Sequence, residues 1–257
     1  VEMQPYIGIT DFTDFSQVKE MLRVFKVHCP RGSKRILHVG VMMSYKTLND
    51  IPSKWTNVFP PKNAIKHIFG SNHAYNCLHY ADYDNNPDLR KHLLHAISYG
   101  GIGINALQLD MVWPDPGEIA NGVHASRKQI EVILQIGERA LEEAGNDPQI
   151  VVARLEDYES VIDRVLLDKS MGRGLGMDAE GLIPFARAIR ERFPALGIGA
   201  AGGLGPETIH LVEPLVREFP DLSIDAQGRL RPSGKALDPI DWEMAREYII
   251  KALKLFQ

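Results

Sequence analysis

Short apolar runs alternate along this chain with stretches in which apolar residues recur every three or four positions. The first run is Tyr6-Ile7-Gly8-Ile9, and Phe15, Val18, Leu22 and Phe25 follow it at helical spacing. The second run covers 36–42. A long polar, proline-containing segment, 44–72, separates it from the third at 77–80. Asn86-Pro87 opens a helical pattern through Leu89, Leu93, Ala96 and Ile97, with proline at a favoured first position. The fourth run is 104–109. Ser126 and Gln129 form a capping-box pattern, which predicts a helix carrying Ile130, Ile133, Leu134, Ala140 and Leu141. The fifth run is 150–153, and a short helix near 158–162 leads to the sixth at 165–167. Asp178 can cap a helix with Leu182, Ile183, Ala186, Ile189 and Phe193. The seventh run, 198–201, precedes a helix with Ile209, Val212, Leu215, Val216 and Phe219. The eighth is 222–224, and Asp238-Pro239 opens a last helix through Ile240, Trp242, Ala245, Tyr248, Ile249 and Leu253.

Continuous apolar runs are what strands covered on both faces require. Eight such strands alternating with helices predict an α/β chain folded as a single (β/α)8 TIM barrel. It would span 1–257, with an insertion-like loop at about 44–72. An open doubly wound sheet fits less well, because no glycine fingerprint follows the first strand. The loop is long for a structureless connection, so it is expected to be functional, mobile or partly structured.

Composition narrows the partners. The formal net charge of −4 gives no basic excess for nucleic acid. Cys29 and Cys77 make neither a disulfide framework nor a metal-ligand spacing, which points to a reducing, cytoplasmic setting. No charged n-region with an apolar h-region opens the sequence, and no apolar run is long enough to span a bilayer. A membrane partner is therefore not expected, and a homo-oligomer is left open.

Glycines mark the candidate chemistry. Gly202-Gly203 follows the seventh run, and Gln227-Gly228 follows the eighth. In such barrels the loops after strands seven and eight often hold phosphate, and glycine lets backbone N–H groups approach an anion. A tight turn alone is the plainer reading of either loop by itself, whereas two such loops at the two expected strand ends favour phosphate binding. A third glycine-rich stretch, "LLDKSMGRGLGMD", contributes Gly174 and Arg173 to a loop able to close over a ligand, although Arg173 also reads as a solvated surface side chain.

Several of these stretches resemble the phosphoribosylanthranilate isomerase family of tryptophan biosynthesis. "YIGITDF" is similar to its opening strand, "LQLD" to its fourth, "LLDKSMGRGLGMD" to its sixth, "AAGGLGPETI" to its seventh and "SIDAQGRLR" to its eighth. The resemblance implies an Amadori-type isomerisation of a small phosphorylated aminosugar derivative, with no metal or organic cofactor. Asp168 stands at the position of the general acid, which needs a raised pKa to donate near neutrality. The pattern breaks elsewhere. Ile7 replaces the family's basic cysteine. Lys46 stands near the family's arginine, for which lysine is no bidentate equivalent, and Asp110 replaces its fourth-strand histidine.

The missing base directs attention to other carboxylates. Asp110 ends a buried strand, where a carboxylate is costly unless solvated or paired. Asp11 follows the first strand and can turn inward or cap a helix. Asp82 follows the third strand and can serve as a second carboxylate or sit in a turn with Asp84 and Asn85. Arg154 can face the site from the end of the fifth strand or pair with Glu156 or Asp157. His38 and His79 lie in strands and read as hydrogen-bonded core residues, with a metal site alongside Asp110 or Asp168 as the sharper alternative. Two further readings stay open. One is a lyase or aldolase of the same barrel class, with Lys169 or Lys46 as a Schiff-base amine. The other is a non-catalytic phosphometabolite-binding protein.

Overall fold

The computed structural model describes residues 3–169 and 176–257. Eight parallel strands close into a barrel in sequence order, β1 to β8, with helices outside. The elements are β1 (Tyr6–Thr10), α1 (Phe15–His28), β2 (Ile36–Ser44), α2 (Tyr45–Leu48), α3 (Ile65–Ile68), β3 (Tyr75–Ala81), α4 (Leu89–Tyr99), β4 (Ala106–Asp110) and α5 (Pro116–Ser126). Then come β5 (Glu131–Gly137), α6 (Glu138–Glu143), α7 (Pro148–Leu155), β6 (Arg164–Asp168), α8 (Ala179–Arg192), β7 (Gly197–Ala201), α9 (Glu213–Glu218), β8 (Ser223–Ala226) and α10 (Trp242–Leu255). This is the expected (β/α)8 barrel. Among the described residues no helix is long and apolar enough to cross a membrane.

The fifth unit differs from the sequence expectation. The strand is Glu131–Gly137, and the apolar run at 150–153 lies in α7, whose buried residues are Val151, Val152 and Leu155. Asp147 caps that helix by accepting from the Gln149 N–H, and Pro148 stands in its first turn. Ser126 caps no helix start. Its hydroxyl donates to the Val123 carbonyl at the end of α5. The 44–72 segment is partly structured. It holds α2, whose N-cap is Ser44, then a short 3-10 turn and α3.

Most of the core lies between the barrel and its helices, with Ile7, Ile9, Val39, Leu78, Leu107 and Leu134 among its buried strand residues. The barrel interior holds the alternate strand positions. At its N-terminal end Tyr6, Tyr75, Glu131 and Arg164 fill the bore. Arg164 donates to Glu131 at 2.6 Å and lies over the Tyr6 and Tyr75 rings. Tyr75 donates to the same carboxylate at 2.5 Å.

The ring closes between β1 and β8 with three register pairs, Ile7 with Ile224, Gly8 with Asp225 and Ile9 with Ala226. Side chains reinforce this seam. The Tyr6 N–H donates to Ser223 Oγ at 3.1 Å, and Thr10 Oγ1 donates to Asp225 Oδ2 at 2.8 Å.

Candidate active site

A cavity of about 1140 Å³ opens at the C-terminal ends of the strands. That is where barrel enzymes place their chemistry, because the βα loops converge there. Its floor is made by side chains that alternation turns inward: His79 of β3, Gln108 of β4, Gln135 of β5, Leu166 of β6 and Asp225 of β8. Asp110 and Asp168, one pleat higher, also line it.

Asp225 is buried, and burial pushes its carboxyl up to about 7. Its Oδ2 takes the Thr10 hydrogen bond, and its Oδ1 lies 3.6 Å from His38 Nδ1. Glycine at position 8 makes room for this pair: a Cβ there would overlap the carboxylate and sit 2.8 Å from His38 Nδ1. His38 itself is held neutral, its pKa brought down to about 3 chiefly by burial, and its ring stacks on Tyr6. His79 moves the other way. Burial pulls it down, but the hydrogen bond and charge of Asp110, with Asp225 and Asp11, outweigh burial and raise it. Among the described residues, Asp225 Oδ1 and Gln108 Oε1 are buried without a hydrogen-bond partner. Buried polar atoms are normally paired, so these two unpaired oxygens lining one cavity leave room for a polar guest.

The rim opposite carries the glycine loops. Gly202 and Gly203 have φ of 95° and 72°, a conformation that disfavours any side chain. A Cβ on Gly205 would lie 2.7 Å from the Arg229 carbonyl oxygen, so the loops after β7 and β8 are pressed together. Gly228 and Gln227 line the cavity beside them.

The expected site residues fall into three groups. Asp168, Asp110, Gly202, Gly203, Gln227, Gly228 and Lys46 line the cavity, Lys46 at its exposed mouth. Asp110 accepts from the Tyr83 hydroxyl and lies 3.4 Å from His79 Nε2. Asp82 lines it too, folded into a turn by the Asp84 N–H and the Asn86 amide. Two residues lie elsewhere. Asp11 stands behind the β8 loop, paired with Arg231 and accepting from Gln227 at 2.9 Å, and its φ is 96°. A carboxylate so held is a clamp rather than an accessible base. It does not cap α1, which Asp14 does. Arg154 is corrected most plainly. It belongs to α7, lies over the Trp113 ring and donates to the Glu143 carbonyl, away from the cavity. Its expected strand end does not exist, because the strand is 131–137. Arg173 and Gly174 lie outside the described residues.

Sequence reasoning missed Asp225, Gln108 and Gln135, and treated His79 only as core or metal ligand. The available signal was alternation: each sits an even number of residues from a neighbour facing the bore. Among the described residues no group of three or more His, Cys, Asp or Glu could hold a metal ion. The 44–72 segment forms a wall of the cavity, where Trp55 and Phe59 stack at 5.1 Å and pack with Met42 and Ala81.

No family model and no curated protein matches the chain. Solved structures do. A protein assigned to spore coat polysaccharide biosynthesis in Chromobacterium violaceum aligns with a TM-score of 0.61 at 10% identity, over 98% of this chain and 75% of that one. A 3-keto-L-gulonate-6-phosphate decarboxylase from Vibrio cholerae aligns with a TM-score of 0.54 at 11% identity, over 99% and 100%. A phosphonopyruvate hydrolase aligns with a TM-score of 0.52 at 14% identity, over 87% and 74%. At such identities the likeness establishes the barrel fold. Membership of the phosphoribosylanthranilate isomerase family, expected from the strand-end motifs, finds no support in these matches.

Proposed function

We propose that this chain is an acid–base enzyme that cleaves a carbon–carbon bond next to the carbonyl of a small phosphorylated compound. The observation that carries the reading is two carboxyl groups, Asp168 and Asp225, lining one cavity whose rim is the glycine pair after β7 and the Gly228 turn after β8. Phosphate would sit on that rim, against backbone N–H groups. Asp225, buried and still protonated near neutrality, supplies an acid. Asp168 supplies a carboxylate. The raised pKa of Asp225 suits it to the acid role and leaves the base role to the second carboxyl. In a retro-aldol cleavage Asp168 takes the hydroxyl proton, the carbon–carbon bond breaks toward the carbonyl, and Asp225 returns a proton to the carbonyl oxygen. The lyase class draws support from the fold neighbours, one of which is by its name a sugar-phosphate decarboxylase.

An imine route is disfavoured by the lysines. Lys169 is bound to Asp178 at 2.8 Å, and Lys46 is exposed at the mouth. Borohydride is expected to trap no adduct with substrate present.

A second reading keeps the Amadori isomerisation, with Asp168 as acid. The "AAGGLGPETI" stretch at the β7 loop favours it. One experiment separates the readings. Keto- and aldose-phosphates and phosphoribosylanthranilate are offered to the protein and to Asp168→Asn and Asp225→Asn. Cleavage of a ketose phosphate that falls about 10²- to 10⁴-fold in both variants supports the lyase. Loss of phosphoribosylanthranilate fluorescence that disappears in Asp168→Asn supports the isomerase. Phosphate binding without turnover of any compound would leave a binding protein.

A further inference from the structure

A continuous polar row crosses four strands on the cavity floor. The Tyr83 hydroxyl donates to Asp110, and Asp110 Oδ2 lies 3.4 Å from His79 Nε2. Gln108 Nε2 lies 3.2 Å from His79 Nδ1 and donates to Gln135 Oε1 at 2.9 Å. Gln135 Nε2 donates to Asp168 Oδ2 at 3.4 Å. His79 and Gln108 are register partners across β3 and β4, and both glutamines are buried.

The row has a direction. An ionised carboxylate only accepts, so Asp168 fixes the Gln135 amide with nitrogen toward it and oxygen toward Gln108. Gln108 must then present its NH2 group. Its two N–H bonds serve Gln135 Oε1 and His79 Nδ1, and the imidazole proton is left on Nε2. The reverse arrangement is also complete, but only as a whole. An imidazolium carries a proton on Nδ1, which needs an acceptor, so Gln108 turns its oxygen to it. Gln135 must then turn its NH2 group to that oxygen, and its own oxygen faces Asp168. That contact is satisfied only when Asp168 carries a proton.

We propose that Gln108 and Gln135 are positioning residues that couple the proton state of His79 to that of Asp168, so that the two groups gain and lose protons together. Each group takes its proton from solvent. The inference rests on Asp168 as the proton-transfer group of the proposed reaction, and it adds His79 as the second group. Other charges face the pair in both states. Asp110, Asp225, Asp11 and His38 act on His79, while Asp225 and Tyr83 lie near Asp168.

The test needs no substrate, so it fails or succeeds independently of the assigned reaction. The full chain is labelled with 15N-histidine, and His79 is titrated by NMR in the native protein, Asp168→Asn, Gln135→Met and the double variant. Neutral His79 is expected with its proton on Nε2, and its native titration steeper than that of one independent site. In Asp168→Asn the side chain can donate, the imidazolium arrangement no longer needs a protonated carboxyl, and the His79 pKa rises by about half a unit, roughly threefold in proton affinity. In the Gln135→Met background the same substitution only removes a negative charge, and the pKa falls. A fall in both backgrounds, or a neutral Nδ1–H form in the native protein, would overturn the proposal. Gln108→Met severs the same row and replaces Gln135→Met if that variant does not fold.

Discussion

The two ends of the barrel bore are filled by the same kinds of residue and treated in opposite ways. At the N-terminal end Arg164, Glu131, Tyr75 and Tyr6 answer one another. The guanidinium is paired, covered by two rings and closed from water. At the C-terminal end Asp225 and Gln108 each keep a buried oxygen without a partner among the described residues. A fully answered polar group holds a structure, whereas an unanswered one holds a place for something else. Completeness of pairing, rather than polarity, therefore separates the Arg164 cluster from the cavity floor, with His38, stacked on Tyr6 and with both ring nitrogens outside any hydrogen bond among the described residues, as the exception between them.

The largest expected effect on stability at neutral pH lies at the closed end. Arg164→Met leaves the half-buried Glu131 without its cation and uncovers two ring faces, and is expected to destabilise by about 2–3 kcal/mol in urea unfolding. Phosphate competition at the other end should be unchanged after correction for the folded fraction. At the open end Asp225→Asn is expected to lower turnover by about 10²- to 10⁴-fold and to alter the pH dependence of stability. The folded-state pKa of about 7 lies above the ordinary carboxylate value of 3.8, so the folded protein holds this proton where the unfolded chain releases it. The contribution is present below about pH 4 and is lost as pH rises through about 7, a change on the order of 4 kcal/mol. Urea titrations between those pH values should lose this downward slope in the variant. An unchanged slope would mean that the carboxyl is ionised in the fold.

Smaller effects belong to the rim. Gly203→Ala must adopt a φ of 72°, which is expected to cost about 1–2 kcal/mol and to weaken binding of inorganic phosphate. Lys46→Ala should leave stability within about 0.5 kcal/mol, since the residue is exposed, and change only the apparent affinity for anionic substrates.

The barrel was legible because continuous apolar runs and helix caps are local signals. The fifth unit shows their limit. The Ile150-Val151-Val152 run has the composition of a strand, yet Asp147-Pro148 before it is a helix start, and that punctuation outranks the run. Glu131–Gly137 carries Gln135 at its centre, which interrupts the apolar pattern because it faces the cavity. The site divided in the same way. Strand-end glycines and Asp168 stand out in sequence because loops after strands are where such residues collect. Gln108 and Gln135 do not, because their meaning lies in contacts between strands 27 residues apart. Asp11 misled for a related reason. Its partner, Arg231, is 220 residues away and invisible to any local reading.

That distance bears on how the molecule comes into being. The seam between β1 and β8 joins the first and last strands of the barrel, through Tyr6 with Ser223, Thr10 with Asp225 and Asp11 with Arg231. Contacts of such long sequence separation are the slowest to gain, because loop-closure entropy is lost before they return anything. Asp225 and the β8 loop belong to that seam. During synthesis the other seven strands leave the ribosome first, and the acid and half the anion cradle arrive with the final segment. Ring closure and completion of the site are thus one event, and a nascent chain stalled before residue 223 holds most of a barrel but lacks the acid and half of the anion cradle.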